Sequence, residues 1–123
     1  MGQAAEERIH HIAKQLVETC CEYELTYGRR TMSFPVMSTR QYIKTIVMNG
    51  VLPELCKIGA IKYNLPQAII RVISDATYHV NLEHRGSIKT VSADMEYKST
   101  IAYFTGYLEE IIKGNMEIED GTR

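Results

Sequence analysis

Apolar residues recur at steps of three and four along most of the chain, a pattern typical of helices with one buried face. It is clearest between residues 4 and 25, where the apolar stripe consists of Ile9, Ile12, Ala13, Leu16, Val17 and Cys20. Further helices are predicted over residues of about 39–48, 53–63, 65–82 and 99–113. The sequence therefore predicts an all-α protein, a compact domain of five to six helices.

Residues that start or stop helices set the predicted boundaries. Gly28 ends the first helix, and Ser38 or Thr39 caps the second, which Asn49 and Gly50 close. Proline suits the first turn of a helix, and Pro53 and Pro66 begin the third and fourth predicted helices.

The predicted helices also have assigned inner faces. Each of the next three predicted helices is expected to bury one apolar group. These groups are, in chain order, Tyr42, Ile43, Ile46 and Val47; then Leu55, Ile58, Gly59 and Tyr63; then Ile69, Val72, Ile73, Ala76 and Val80. Residues 83–97 fit a short strand, a wing or a short helix. The tail from about 114 to 123 is expected to fray. From the length of the chain, residues 1–123 are expected to form a single domain.

Length and composition narrow the class of protein. The chain has 123 residues, 45% hydrophobic and 24% charged, which suits one folded domain and is too short for a barrel enzyme or a two-domain dinucleotide enzyme. No apolar run is long enough for a membrane span, and the charged N-terminus is unlike a signal peptide. We therefore expect a cytoplasmic protein that does not enter membranes.

The odd number of cysteines, Cys20, Cys21 and Cys56, predicts packing residues rather than disulfides.

The charged residues are distributed unevenly along the chain. Residues 1–28 carry a net charge of −3, residues 29–89 carry +6 and residues 90–123 carry −4. A basic middle between acidic ends suggests a polyanionic partner.

Residues 56–75, CKIGAIKYNLPQAIIRVISD, resemble a helix-turn-helix. Such a motif needs a small residue where the second helix crosses the first, a turn residue four positions later, and apolar residues that hold the second helix in place. Ala60, Asn64, Ile70 and Ile73 meet these needs in turn. Basic residues lie around the motif: Arg40, Lys44, Lys57, Lys62, Arg71, Arg85 and Lys89.

Four longer segments carry a wider resemblance: TRQYIKTIV, LPELCKIGAIKYN, IIRVISDATYHVNLEHRGSI and STIAYFTGYLEEII. Through them the sequence resembles the C-terminal effector domain of the stage-zero sporulation master regulators, a family of response regulators from spore-forming Firmicutes. The resemblance implies an all-helical fold whose third and fourth helices form the helix-turn-helix and which binds double-stranded DNA as a tandem pair. It covers the effector domain without the receiver domain, so we expect no switching by phosphorylation of a receiver aspartate.

The resemblance places Arg71 on a recognition-helix arginine and Arg40 and Lys62 on the general basic flank. The sequence departs from the family on the exposed face of that helix, where it has Ala68, Ile70, Ser74 and Asp75. Two alignments remain open for Ile70: in one it is exposed and suggests a protein contact, in the other it belongs to the core.

Base recognition requires side chains such as Arg or Gln that can form paired hydrogen bonds to base edges. Only Gln67 and Arg71 meet this requirement clearly, so we predict them as base contacts. We predict phosphate contacts from the basic residues nearby, namely Arg40, Lys44, Lys62, Arg85 and Lys89. We expect DNA binding to be weaker than in the family or to have a different sequence preference. We also expect the protein to bind DNA as a homodimer or tandem pair.

Nothing in the sequence indicates an enzyme, a cofactor or a metal site. At the level of the sequence the histidines lack a fixed carboxylate partner, and His10, His11, Cys20 and Cys21 are spaced too far apart on one helix to share an ion. The remaining alternative is a non-catalytic protein-interaction module that keeps the fold but binds another transcription regulator, which the eight tyrosines would suit.

Overall fold

The computed structural model describes residues 3–28, 37–59, 64–83 and 94–119, with side chains in the last range up to residue 114. Every secondary-structure element in these ranges is helical. Helix α1 spans Gln3–Tyr27, α3 spans Leu65–Glu83 and α4 spans Met95–Glu119. Helix α2 covers residues 39–57 and has three consecutive parts, Thr39–Ile46, a π-helical turn Val47–Val51, and Leu52–Lys57. No described helix is long and apolar enough to cross a membrane.

Contacts near the helix ends show that the four helices alternate in direction. Tyr23 near the end of α1 stacks on Tyr42 near the start of α2, with ring centroids 3.9 Å apart. Arg8 near the start of α1 forms an ion pair with Glu54 near the end of α2. Helices α1 and α2 therefore run antiparallel.

Helix α4 runs antiparallel to both α1 and α3. His10 of α1 pairs with Glu109 of α4, far along that helix. At the other end, the Thr100 hydroxyl on α4 donates to Glu83 at the end of α3, over 3.3 Å. Helices α1, α3 and α4 pack on one another, and α2 packs on α1 and α3. The arrangement is an up-down-up-down set of four helices.

The core consists of the apolar stripes that the sequence predicts for α1 and α3. All six residues of the α1 stripe are buried, together with Cys21, and Ile69, Val72, Ile73, Ala76 and Val80 of α3 are buried as well. Helix α4 contributes Tyr97, Ile101, Phe104, Leu108 and Ile112. The prediction of an all-α fold is thus confirmed.

The expected break at Asn49 and Gly50 is wrong, because the helix continues through them. Four buried apolar residues, Ile43, Val47, Val51 and Leu55, follow one another at intervals of four across this point. On an ideal α-helix such a row drifts by about 40° at each step. The wider π turn, in which Leu52 N–H donates to Val47 O, keeps the row on one face.

Pro53 supplies a second reason for the π turn. A proline has no N–H, and its ring clashes with the carbonyl one turn earlier in a regular α-helix. The widened turn directly precedes Pro53, which lies in the first turn of the Leu52–Lys57 part. The helix thereby passes the proline without ending, and the second and third predicted helices form one segment.

Helix α2 ends at Lys57, earlier than the predicted end at residue 63. The N–H of Gly59 donates to Cys56 O over 3.1 Å, and Gly59 has a φ of +77°, a left-handed conformation that ends a helix. Gly59 is therefore exposed rather than inward-facing. The predicted core residue Tyr63 lies outside the described residues.

These changes correct the predicted architecture. The described part of the chain has four helices instead of five to six. The predicted helix-turn-helix is not confirmed, because the first helix ends before Ala60, and Ala60 itself lies outside the described residues. The predicted wing or short helix over residues 83–97 falls largely outside them too.

Helix α4 is longer than its predicted range of about 99–113. It begins at Met95, where the Asp94 carboxylate accepts a hydrogen bond from Glu96 N–H over 2.7 Å and caps the helix. It continues to Glu119 through most of the segment predicted to fray. At the start of α2, Ser38 caps as predicted: its hydroxyl accepts from Gln41 N–H, and the Gln41 side chain accepts from Ser38 N–H.

Replacement of Gly50 within α2 and of Gly59 just beyond its end should change stability in opposite directions. Gly59→Ala should lower the free energy of unfolding by about 1 kcal/mol, because alanine is disfavoured at positive φ. Gly50→Ala should raise it by about 0.5–1 kcal/mol, because Gly50 is helical and an added Cβ would meet no atom within 4 Å. Urea unfolding followed by circular dichroism measures both, and a loss of stability in Gly50→Ala would contradict a continuous α2.

Candidate functional site

The predicted base-contacting residues lie on an exposed face of α3. Gln67 and Arg71 are one helical turn apart and both exposed, whereas Leu65, Ile69 and Val72 face the core. Side chains four residues apart on a helix are neighbours, so Gln67 and Arg71 could contact one ligand together.

The start of α2 lies beside the second half of this helix. Arg40 lines a cleft of about 450 Å³ with Ser74 and Tyr78 of α3. Ser74 follows Arg71 by three positions, and Lys44 follows Arg40 by four positions, so each pair shares a face of its own helix. We call Arg40, Lys44, Gln67 and Arg71 the α2–α3 basic surface.

The cations of the α2–α3 basic surface have no acidic partners, unlike three other cations of the described residues. Arg40, Lys44 and Arg71 are exposed and form no ion pair within the described ranges. Three other basic residues are paired: Arg8 and Lys57 both with Glu54, and Lys113 with Glu109. Hydrogen bonds from Arg8 and then Lys57 lower the pKa of Glu54. The surface therefore keeps its positive charges available for a ligand.

The other predicted site residues divide into two groups. Lys62, Arg85 and Lys89 lie outside the described residues. Ile70 is half-buried and packs against the core cluster, which agrees with the alignment that makes it a core residue and removes the suggestion of a protein contact. Of the other departures from the family, Ala68 and Ser74 are half-buried and Asp75 is exposed.

A second feature, a groove between α1 and α4, is not predicted from the sequence. It has a volume of about 530 Å³, within the range of small-molecule sites. Its α1 wall is formed by His10, Lys14, Glu18 and Glu22. These residues recur every four positions, and this spacing of charged residues was the signal in the sequence that could have indicated a polar groove. We call this feature the α1–α4 groove.

The α4 wall of the α1–α4 groove combines small residues with polar ones. Ala102 and Gly106 leave open space, and Lys98, Thr105 and Glu109 contribute polar groups. Thr105 is only 4% exposed, and its hydroxyl has no hydrogen-bond partner among the described residues. A buried hydroxyl without a partner is costly, which makes Thr105 an unusual feature of this wall.

The three cysteines differ in their surroundings. Cys20 and Cys21 are buried in the core as predicted, and Cys56 is exposed, which corrects its assignment as a packing residue. Burial raises the pKa of the Cys20 thiol to about 12. Burial, and then the neighbouring Cys20, also raises the pKa of the Cys21 thiol. Such thiols remain protonated and unreactive at neutral pH.

Comparison with known proteins assigns neither the α2–α3 basic surface nor the α1–α4 groove. The similarity to the sporulation effector domains therefore stays a prediction from the sequence. No family model, no curated protein and no solved structure matches this chain.

Proposed function

We propose that the protein is a DNA-binding transcriptional regulator of the sporulation-effector type, which binds double-stranded DNA through the α2–α3 basic surface. In this proposal α3 enters the major groove, where Gln67 and Arg71 contact base edges. Arg40 and Lys44 contact phosphates on the flank. The function requires no catalysis.

The observation that carries the proposal is the absence of ion-pair partners for Arg40, Lys44 and Arg71 in the described part of the chain. A cation held by a neighbouring carboxylate must break that pair to reach a phosphate, whereas an unpaired one binds without this cost. The length of α3 supports the proposal too, because a helix of 19 residues has room for several base contacts along one face.

One feature of the surface opposes tight binding. The exposed carboxylate of Asp75 lies one turn beyond Arg71 on α3, and a negative charge near a phosphate is repelled. We therefore expect modest affinity from a single copy, and a homodimer or tandem pair on DNA would raise it by engaging two half-sites.

The test is a fluorescence-anisotropy titration against a pool of randomised duplexes, followed by sequencing of the bound fraction. Affinity should fall by orders of magnitude between about 50 and 200 mM salt if several phosphates are contacted. Arg71→Ala should relax base preference at one position, with a loss of about 1–3 kcal/mol in discrimination. Lys44→Ala should weaken binding evenly across sequences.

Lys113→Ala is the matched control, because it removes the same charge from α4, where Lys113 already pairs with Glu109. It should leave DNA affinity unchanged. Equal losses on all sequences for Arg71→Ala and Lys44→Ala would remove Arg71 from base recognition, and equal losses for Lys113→Ala would show a nonspecific effect of net charge.

A complete absence of DNA binding at low salt would favour the second function, a protein-interaction module. One observation supports this alternative. Tyr103 and Tyr107 of α4 are 67% and 47% exposed, with ring centroids 6.5 Å apart. Exposed tyrosines are common in protein interfaces, and another transcription regulator would then be the partner to seek.

A further inference from the structure

The α1–α4 groove contains charged groups of both signs that form no ion pairs within the described residues: Lys14, Glu18 and Glu22 on α1 and Lys98 on α4. At its end, His10 and Glu109 pair with each other across the two helices. A bound anion would be repelled by the glutamates, and a bound cation by the lysines. A molecule that carries both charges is attracted by both sets when each of its charges lies beside groups of the opposite sign.

The floor of the groove has space and one hydrogen-bonding group. An added Cβ at Gly106 would meet no atom within 4 Å, so this position opens into the groove. The neighbouring Thr105 lines the groove with a buried hydroxyl that has no partner among the described residues. A ligand that offers a polar group at this point would satisfy that hydroxyl.

The antiparallel packing of α1 and α4 fixes the order of these groups. Lys14 follows the His10–Glu109 pair by one turn of α1, and Glu18 and Glu22 follow at one and two further turns. The raised pKa of Tyr97 reflects burial first, then the nearby Cys21, Glu22 and Glu18, which places the start of α4 beside the two glutamates. On α1 the cation Lys14 thus precedes the two glutamates along the groove, and Lys98 of α4 lies at the glutamate end.

We propose that the α1–α4 groove binds a small zwitterion with one carboxylate and one ammonium group, which is the chemistry of a free amino acid. Its carboxylate lies toward Lys14 and its ammonium group toward Glu18 and Glu22, and it forms a hydrogen bond with Thr105. The site shares no residue with the α2–α3 basic surface, so it stands independently of DNA binding.

The proposal is tested by titrating the isotope-labelled full chain with each of the twenty amino acids and recording amide chemical shifts. We expect at least one amino acid to shift the amides of the groove at millimolar concentration. Two analogues of that amino acid are titrated next, an amine that lacks the carboxylate and an acid that lacks the ammonium group. Each should bind about tenfold or more weakly than the amino acid itself.

Two variants and one matched control locate the site. Gly106→Leu fills the groove and should weaken binding about tenfold or more. Thr105→Val removes one hydrogen bond and should weaken binding about two- to tenfold. Gly50→Leu makes the same change as Gly106→Leu on α2, where an added Cβ also has open space, and should bind normally.

Three results would overturn the proposal: no amino acid shifts the groove amides, the amine or the acid alone binds as tightly as the zwitterion, or Gly106→Leu binds normally. Circular dichroism of each variant verifies the fold. If Gly106→Leu does not fold, Thr105→Val still decides, because normal affinity in that variant would contradict the hydrogen bond with Thr105.

Discussion

The protein should lose stability steeply above about pH 9, by about 2–3 kcal/mol for each further pH unit. The groups responsible are the buried thiols of Cys20 and Cys21, whose pKa values are raised in the folded state, to about 12 for Cys20. Total stabilities of about 5–15 kcal/mol are usual for such domains, so at the lower end of this range the slope would unfold the protein at about pH 11.

The sign of the effect follows from proton binding. In the unfolded chain a thiol loses its proton near its ordinary pKa of about 8.5. In the folded protein Cys20 keeps its proton up to about pH 12. Between these values the unfolded state binds fewer protons than the folded state, so the free energy of unfolding falls as pH rises. The full contribution is present below about pH 8.5. Tyr97, whose pKa is raised chiefly by burial, adds to the loss at the upper end of this window.

Urea unfolding at several pH values between 7 and 11 measures the slope. A Cys20→Ala, Cys21→Ala double variant should be less stable at neutral pH, because it leaves a cavity, yet should show a much shallower loss above pH 9. Cys56→Ala is the control, since Cys56 is exposed and should leave the slope as it is. If the free energy of unfolding of the double variant fell with pH as steeply as that of the wild type, the assignment to these thiols would be refuted.

Leu108→Ala should lower the free energy of unfolding by about 2–5 kcal/mol. Leu108 is completely buried on α4, which packs on both α1 and α3. Truncation removes apolar contacts among three helices and leaves a cavity that the surrounding helices fill only in part. This is a large fraction of the stability of a small domain, and the variant should unfold at clearly lower urea concentration and temperature.

Leu82→Ala makes the same chemical change on α3 at a position that is 53% exposed. It should alter the free energy of unfolding by no more than about 0.5 kcal/mol, because little apolar surface is transferred. Comparison of the two variants separates the effect of burial from the effect of helix propensity, which is common to both. Similar losses in Leu108→Ala and Leu82→Ala would contradict the position of the core.

Local pattern was sufficient to predict most of the helices. The stripes of α1 and α3 were predicted residue by residue, because a helix with one buried face repeats its apolar residues every three or four positions. The cap at Ser38 and the proline in the first turn of α3 were also correct. Each of these signals acts within one or two turns of helix, so it can be recognised without knowledge of the fold.

The candidate surfaces depended more on the fold. Gln67 and Arg71 are predicted as base contacts from their side-chain chemistry and, for Arg71, from the resemblance, and both are exposed on α3. The position of Arg40 beside Ser74 and Tyr78, however, depends on how α2 packs against α3. The α1–α4 groove joins residues almost a hundred positions apart, such as His10 and Glu109. A single sequence contains no signal for that pairing.

The sequence by itself determined the all-α class, the inner faces of α1 and α3 and the exposure of Gln67 and Arg71. Only the tertiary structure decided that α2 continues through Asn49 and Gly50. Local propensity favours a stop there, but a stop would expose the row of Ile43, Val47, Val51 and Leu55 that packs in the core. Burial of these four side chains outweighs the weak helix propensity of the Asn-Gly pair. Each buried side chain contributes about 1.5–3 kcal/mol when it is removed from water, and the helix-propensity cost of Asn49 and Gly50 together is smaller than the sum of these contributions.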